Sequence, residues 1–428
     1  MTNQVDLIVD QIGQLCTIPA HEHGPQRGAK LGDLGIRENA AIAVTGGKIV
    51  AIGRRDTILE EYAAETRVTA RGKVVTPGFV DPHTHLVWMG DRADEFEMRA
   101  KGATYSEIMA AGGGINRTVR QTRSASLLGL MEATKARLDR MLEYGTTTVE
   151  IKTGYGLDLS TELAMLSAIA LLDAEHPIDL VPTFLGAHAV PPEYASQPDQ
   201  YVEFLIQHVL PAVVAWKQEH WPGVLYCDAF CENGAFTLDQ TRRIFDAARS
   251  FGLPLRLHAD EFESLGGTAL AVEMGARSVD HLLATTPEDA ARLGASDTVA
   301  ILLPATPFGL NITNTAPIKL LLAHNAAIAL ATDCNPGTAW CESTQMVLAL
   351  ATRTLKLTTA QALAATTINA AYALDKGDQV GSLEVGKQAD LVIWDIPDFR
   401  HLGYRFGANL VSTVIKRGSV VFEQNLNT

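Results

Sequence analysis

The stretch Val74–Leu86, VVTPGFVDPHTHL, decides how the rest of the chain is read. β-Branched and apolar residues crowd both sides of it, as they do in strands covered on both faces by helices. It closes on a His-x-His pair, His83 and His85. Along a strand, residues i and i+2 point the same way. The two imidazoles are therefore expected to face one mouth together from a strand's carboxyl end.

Towards the C-terminus, the run 126–145, SLLGLMEATKARLDRMLEYG, is apolar at helical spacing and closed by Gly145. Further strand-like runs follow at 146–154, 178–189, 224–231, 253–261, 276–283, 298–305 and 326–337. Most are separated by enough residues for a crossover helix. Together with the first, they make the eight β/α units of a (β/α)₈ TIM-like barrel, spanning 77–374. A doubly wound sheet would need a phosphate loop. The one match, GSLEVGK at 381–387, is followed by Gln388 and precedes a strand instead of following one.

Towards the N-terminus, VDLIVDQIGQLCTI (5–18), AIAVTGGKIVAIG (41–53) and TRVTARGKVVTPG (66–78) read as strands broken by glycine. The polar, Gly-rich segment 19–39 reads as an exposed loop. After a helical stretch near 343–374, strand texture returns in ADLVIWDI (389–396) and VSTVIKRGSVVFEQ (411–424). Residues 1–76 and 375–428 are expected to form one small β-sandwich domain beside the barrel.

The 428 residues are 47% hydrophobic and 20% charged, which excludes a disordered chain. The net charge of −14 disfavours nucleic acid and anionic membrane surfaces as partners. No apolar run reaches the ~18–20 residues of a membrane span. The start, MTNQVDLIVD, lacks the basic n-region of a secretory signal. The five cysteines (16, 227, 231, 334 and 341) read as reduced thiols of a cytoplasmic protein. Cys227 and Cys231, without a second pair, read as core thiols.

Barrel enzymes carry their chemistry at the carboxyl ends of the strands. His258 ends the fifth strand, His281 the sixth and Asp333 the eighth. Three His and one Asp make a first shell suited to Zn²⁺ and tolerant of Fe²⁺. Four of eight strands ending in a ligand-type residue is hard to reach by chance. The second His-x-His, His21 and His23, has no strand to fix it and reads as solvated loop. Glu261, three residues after His258, is the candidate base for a metal-activated water. Asp260 and Glu263 are its rivals. His281 is either a further ligand or, preferably, a donor to a developing oxyanion. The glycines in AGGGIN (111–116) suit a loop over the site.

PGFVDPHTHL and VGSLEVGKQADLVIWD resemble the amidohydrolase superfamily. GDRADEFEMRAKGATYSEIMAAGGGINRTVRQTR, VEIKTGYGL, TFLGAHAVP, CDAFCENGAF, LRLHADEF and LATDCNPGT narrow the resemblance to its imidazolonepropionase family, over essentially the whole chain. The resemblance implies metal-dependent opening of the ring of imidazolone propionate, giving N-formimidoyl-L-glutamate. It implies His83, His85, His258 and Asp333 as ligands of one divalent metal, Zn or Fe. It implies Arg92, Tyr105, Tyr155, His188, Asn335, Gly337 and Thr338 as substrate or product contacts. Glu261 would handle the water, with His281 and Asp333 also in the catalytic set. The two-metal relatives bridge their ions with a lysine on a middle strand. Lys152 sits on the second strand and VLYCDAFCEN has none, so one metal is expected. The expected assembly is a homodimer. The competing reading is a deaminase or cyclic amidase on the same scaffold, and a further one is a catalytically dead scaffold protein.

Overall fold

The computed structural model describes residues 2–22, 24–104, 107 and 112–424. Tyr105 and His23, both singled out above, lie outside the described residues, as does Ala111 of the AGGGIN run. Among the described residues, no helix is long and apolar enough to cross a membrane.

Two eight-stranded sheets organise the chain. One is built from both ends of it. It comprises β1 (Asn3–Leu15), β2 (Arg37–Thr45), β3 (Lys48–Arg54), β4 (Tyr62–Thr69) and β5 (Val74–Pro77). The other is the barrel: β6 (Phe79–Asp81), β7 (Thr146–Lys152), β8 (Asp179–Ala187), β9 (Tyr226–Cys231), β10 (Arg256–Ala259), β11 (Ser278–His281), β12 (Val299–Leu302) and β13 (Ile328–Leu330). β14 (Leu391–Trp394), β15 (Val411–Lys416) and β16 (Ser419–Glu423) then return to the first sheet. Its order is β16-β15-β14-β5-β1-β2-β3, with β4 on β1. β1 kinks between Val9 and Ile12, where Gln11 adopts a φ of 52°. It pairs in parallel with β4 through its first part and with β5 through its last two residues. Leu7, Ile12, Ile42, Val75, Leu391 and Ile415 bury a common core from both ends of the chain.

The barrel strands are parallel and run in sequence from β6 to β13. Val80, Val181, Tyr226, Val299, Ile301 and Ala329 fill part of the interior. The seam between first and last strands is closed by backbone hydrogen bonds just beyond their ends. His85 N–H donates to the Cys334 carbonyl (3.0 Å), and Asp333 N–H to that of His83 (3.1 Å).

Three expectations change in detail. Val74–Leu86 is not one strand: β5 belongs to the terminal sheet and β6 to the barrel, with Gly78 between them. His83 and His85 consequently lie just past a strand. A helix at Arg55–Glu61 occupies a segment read as strand and turn, and buries Ile58. The segment at 19–36 is not simply exposed. Gln26 is fully buried, its N–H donating to Asn369 Oδ1 at 2.7 Å.

Candidate active site

The barrel mouth opens into a cavity of about 740 Å³. That volume lies in the range of small-molecule sites. His85, Arg92, Tyr155, His188, His258, Glu261, His281, Asp333, Asn335, Gly337 and Thr338 all line it. The structure thus brings nearly every residue singled out from the sequence together around one cavity. His83 is fully buried just beneath, its ring centroid 4.5 Å from that of His258 and 5.3 Å from that of His85.

The ligand-type atoms converge. His83 Nε2 and His85 Nε2 lie 3.5 and 3.4 Å from Asp333 Oδ1, and His258 Nε2 lies 3.3 Å from His85 Nε2. His83 Nε2 is buried without a hydrogen-bond partner. An orphaned nitrogen in a nitrogen-rich pocket is what a cation would satisfy. Burial pulls the Asp333 carboxyl up, but His83 and His85 hold it well below the usual carboxylate range, so it offers a negative donor. The residues present therefore fit a divalent metal.

Two positive φ values aim groups into this mouth. Along β11, Asp280 faces the interior, and alternation would send His281 the other way. His281 instead has a φ of 83°, and its ring lies 5.3 Å from His258. Asp333, with a φ of 51°, is turned similarly at the end of the last strand. Backbone held in this region by a non-glycine residue costs ~1–3 kcal/mol and concentrates at functional sites. Burial keeps His281 neutral, well below the ordinary imidazole pKa.

Glu261 is separated from its rivals by geometry. Its side chain is only 10% exposed and lies 3.7 Å from His281 Nε2. Asp260 is committed to the Thr268 hydroxyl, which donates to it at 2.7 Å. Glu263 is exposed. Burial, then the charges of Asp333 and Glu232, push the Glu261 carboxyl up to about 8.

Two guanidiniums come from one helix. Arg92 precedes the helix Ala93–Ala100, and Arg99 lies two turns on, so both project from one face. Both line the cavity. Arg92 Nε donates to Thr118 Oγ1 (3.0 Å), which leaves its terminal nitrogens for a ligand. Gly337 makes room for it, since a Cβ there would sit 2.9 Å from Arg92 Nη1. Asn335 shapes the turn: its Oδ1 accepts the N–H groups of Gly337 and Thr338, both at 2.8 Å. Tyr155 is buried and held protonated. Burial, with His85 and His258 adding, keeps His188 neutral, and its Nδ1–H donates to the Gly154 carbonyl at 3.0 Å.

Behind the histidines lies a layer that sequence reading missed. His83 Nδ1 bonds Asp280 Oδ2 (2.7 Å), and His258 Nδ1 lies 3.0 Å from Asp228 Oδ2. Glu150, Lys152 and Arg256 complete the layer, all with fully buried side chains. The signal was present: both signs of charge recur at inward, alternate positions of strands too apolar to be exposed. Arg99 and Glu232 lie in GDRADEFEMR and CDAFCENGAF, quoted above, but nothing local sets either apart from the charged residues around it.

The comparisons assign the chain to a family. The amidohydrolase family model matches residues 74–421. Imidazolonepropionase of Herpetosiphon aurantiacus is 52% identical over 424 residues, 99% of this chain and 98% of that protein. The imidazolonepropionase of Chloroflexus aggregans is 48% identical, over 97% and 98%. The chain belongs to the imidazolonepropionase family of amidohydrolases, and it is a hydrolase. Among solved structures, a zinc-bound adenosine deaminase of Xanthomonas campestris superposes with a TM-score of 0.72 at 19% identity, covering 99% of this chain and 94% of that one. E. coli guanine deaminase gives 0.72 at 15% identity, over 98% and 99%. At such identities these share the barrel and its terminal sheet, and a deaminase reading gains nothing from them. The family, together with the clustered His83, His85 and His258, supports a divalent metal in this chain.

Proposed function

We propose that this chain hydrolyses 4-imidazolone-5-propanoate to N-formimidoyl-L-glutamate, a step of histidine breakdown. The observation that carries the reading is one cavity lined both by a metal-ready donor set with Glu261 and by two guanidiniums, Arg92 and Arg99. A ring to be hydrolysed and a carboxylate to be gripped are the two ends of this substrate. Close relatives bearing the name imidazolonepropionase support it.

In this reading His83, His85, His258 and Asp333 hold one divalent ion per chain. Three imidazole nitrogens and a carboxylate suit zinc and tolerate ferrous iron. When bound, the cation would supply a Lewis acid that acidifies water and polarises a carbonyl. Arg92 clamps the propionate bidentately, as a planar guanidinium does best. Tyr155, as a donor, and neutral His188 border the ring, and the turn at Asn335, Gly337 and Thr338 closes that side. Glu261 removes the proton from the attacking water, whose oxygen adds to the ring carbonyl carbon. Neutral His281 donates to the developing oxyanion. Glu261 or Asp333 then passes the proton to the departing ring nitrogen. The C–N bond breaks, leaving a carboxylate and the formimidoyl group. Burial, which holds this carboxyl above the usual carboxylate range, favours its use as a proton carrier. Two further parts of the reading are a homodimer, which exposed Phe96, Phe308 and Trp340 would help to form, and a cytoplasmic location, which five unpaired cysteines favour.

The test is direct. Metal-loaded protein should abolish the ring absorbance of enzymatically generated imidazolone propionate, with formimidoylglutamate appearing. Glu261→Gln should retain the metal and lose ~10²–10⁴-fold or more in kcat. Persistence of the ring with metal-loaded wild type would sink the proposal, and near-normal turnover by the variant would remove Glu261 from its role.

A further inference from the structure

Inside the barrel, one ammonium reaches the carboxylates behind His83 and His258 and the one that holds Thr84, between His83 and His85. Lys152 Nζ donates to Glu150 Oε1 at 2.7 Å and to Asp228 Oδ2 at 2.9 Å, and lies 4.0 Å from Asp280 Oδ2. Two of the carboxylates lead directly to a histidine, and the third leads to the residue between two of them. Asp228 Oδ2 is 3.0 Å from His258 Nδ1. Asp280 Oδ2 accepts from His83 Nδ1 at 2.7 Å. Glu150 Oε2 accepts the N–H of Thr84 at 3.1 Å, and the Glu150 carbonyl accepts the Thr84 hydroxyl at 2.6 Å. Thr84 is the residue between His83 and His85.

The side chains of Lys152, Glu150, Asp228 and Asp280 are all fully buried. Asp228, His258 and Asp280 also form a second group with metal-ligand spacing. The Lys152 ammonium already stands against its carboxylates. Arg256, at 3.9 Å from both Glu150 and Asp280, is the only other described cation within salt-bridge reach of this layer's carboxylates, apart from the two histidines. It contacts neither Asp228 nor His258 in that way. Lys152 is thus the group through which β7, β9 and β11 present their carboxylates to the histidines of the mouth.

We propose that Lys152 is a positioning residue for the metal site: its single ammonium fixes Asp228, Asp280 and Glu150, and through them the orientation of His258, His83 and His85. Outer-shell partners of ligating histidines typically change metal affinity 10–100-fold when removed. Lys152 acts on two such partners, Asp228 and Asp280, and on Glu150 behind Thr84. The proposal rests on the reading of His83, His85 and His258 as ligands.

The test measures Zn²⁺ affinity of the full-length, metal-stripped chain by competition with a chromophoric chelator. Wild type, Lys152→Met, Asp228→Asn, the Lys152→Met/Asp228→Asn double variant and His258→Ala are compared. Circular dichroism checks folding first. Lys152→Met should bind Zn²⁺ on the order of 10–100-fold more weakly. Because it acts through Asp228, the double variant should lose much less than the product of the two single losses. A merely structural lysine would lower the melting temperature and leave the affinity of the folded protein unchanged. Wild-type affinity in folded Lys152→Met, or losses that multiply independently, would overturn the proposal. If the single variant does not fold, the double variant, which removes both partners of the buried pair, carries the test, and wild-type affinity there overturns it. His258→Ala separates the two readings: unchanged Zn²⁺ binding in that variant refutes the ligand assignment itself, whereas loss there with none in the Lys152 variants refutes only the role of Lys152.

Discussion

Arg92 concentrates what one residue contributes to specificity. Its Nε is taken by Thr118, its guanidinium lies over Gly337, and its terminal nitrogens border the cavity. A lysine ammonium there would keep the charge but lose the fork and the anchor to Thr118. Arg92→Lys is expected to raise KM for imidazolone propionate roughly 10–100-fold with little change in kcat, because the propionate is gripped alike in ground and transition states. Steady-state kinetics check this, and a fall in kcat with unchanged KM would place Arg92 elsewhere in the chemistry. At this scale the sequence was informative where a motif marks a residue, as with His83, His85 and Asp333. It left Asp260, Glu261 and Glu263 as rivals, because which carboxylate faces the mouth depends on a left-handed residue, Asp260 at a φ of 56°. No pattern in HADEFE announces that turn.

The segment after β10 that carries Glu261 is clipped from outside. Glu232, in the loop after β9, is buried, and its Oε2 accepts the N–H of Phe262 at 2.9 Å. Its Oε1 accepts the N–H of Asn233 at 2.9 Å. The same carboxylate is one of the charges that raise Glu261, after burial and Asp333. Glu232→Gln keeps an acceptor for the clip and removes the charge. Glu261 then loses its proton more readily. Since the water-activating form is the deprotonated one, the acid limb of the kcat/KM profile should move to lower pH, by on the order of 0.5–1 unit. An unmoved limb would show that this limb is not the titration of Glu261. Elements were legible unevenly. The barrel strands announced themselves as apolar, β-branched runs buried on both faces. The division of Val74–Leu86 between β5 and β6 did not, because both halves have the same texture. What parts them is Gly78, where a Cβ would lie 2.3 Å from Thr147 Oγ1. That close approach belongs to tertiary packing, as does the burial of Gln26 against Asn369 in a segment of loop composition.

On the scale of the whole molecule, the metal-site residues coincide with the closure of the barrel. His83, His85 and Asp333 carry the backbone hydrogen bonds of the seam between first and last strands, and His258 comes from β10 across the mouth. In the proposed reading, a cation held by these four residues would tie β6, β10 and β13 together and would satisfy the buried His83 Nε2. Anything bound by the native state alone stabilises it by RT ln(1 + [L]/Kd), about 4 kcal/mol at a thousandfold excess over Kd. In a chain of 428 residues, the large unfolding entropy makes each kcal/mol a matter of roughly 1–2 °C. Chelation should therefore lower the barrel's melting temperature by several degrees, and equimolar Zn²⁺ should restore it. The net charge of −14 does not mimic this effect, because long-range charge is screened beyond ~8–10 Å in ordinary buffer whereas the buried site is not. Repeating the melt at high salt should thus leave the chelator-dependent difference in place. A melting temperature indifferent to chelation, with metal analysis confirming that the ion was present and then removed, would separate closure of the barrel from occupation of its mouth.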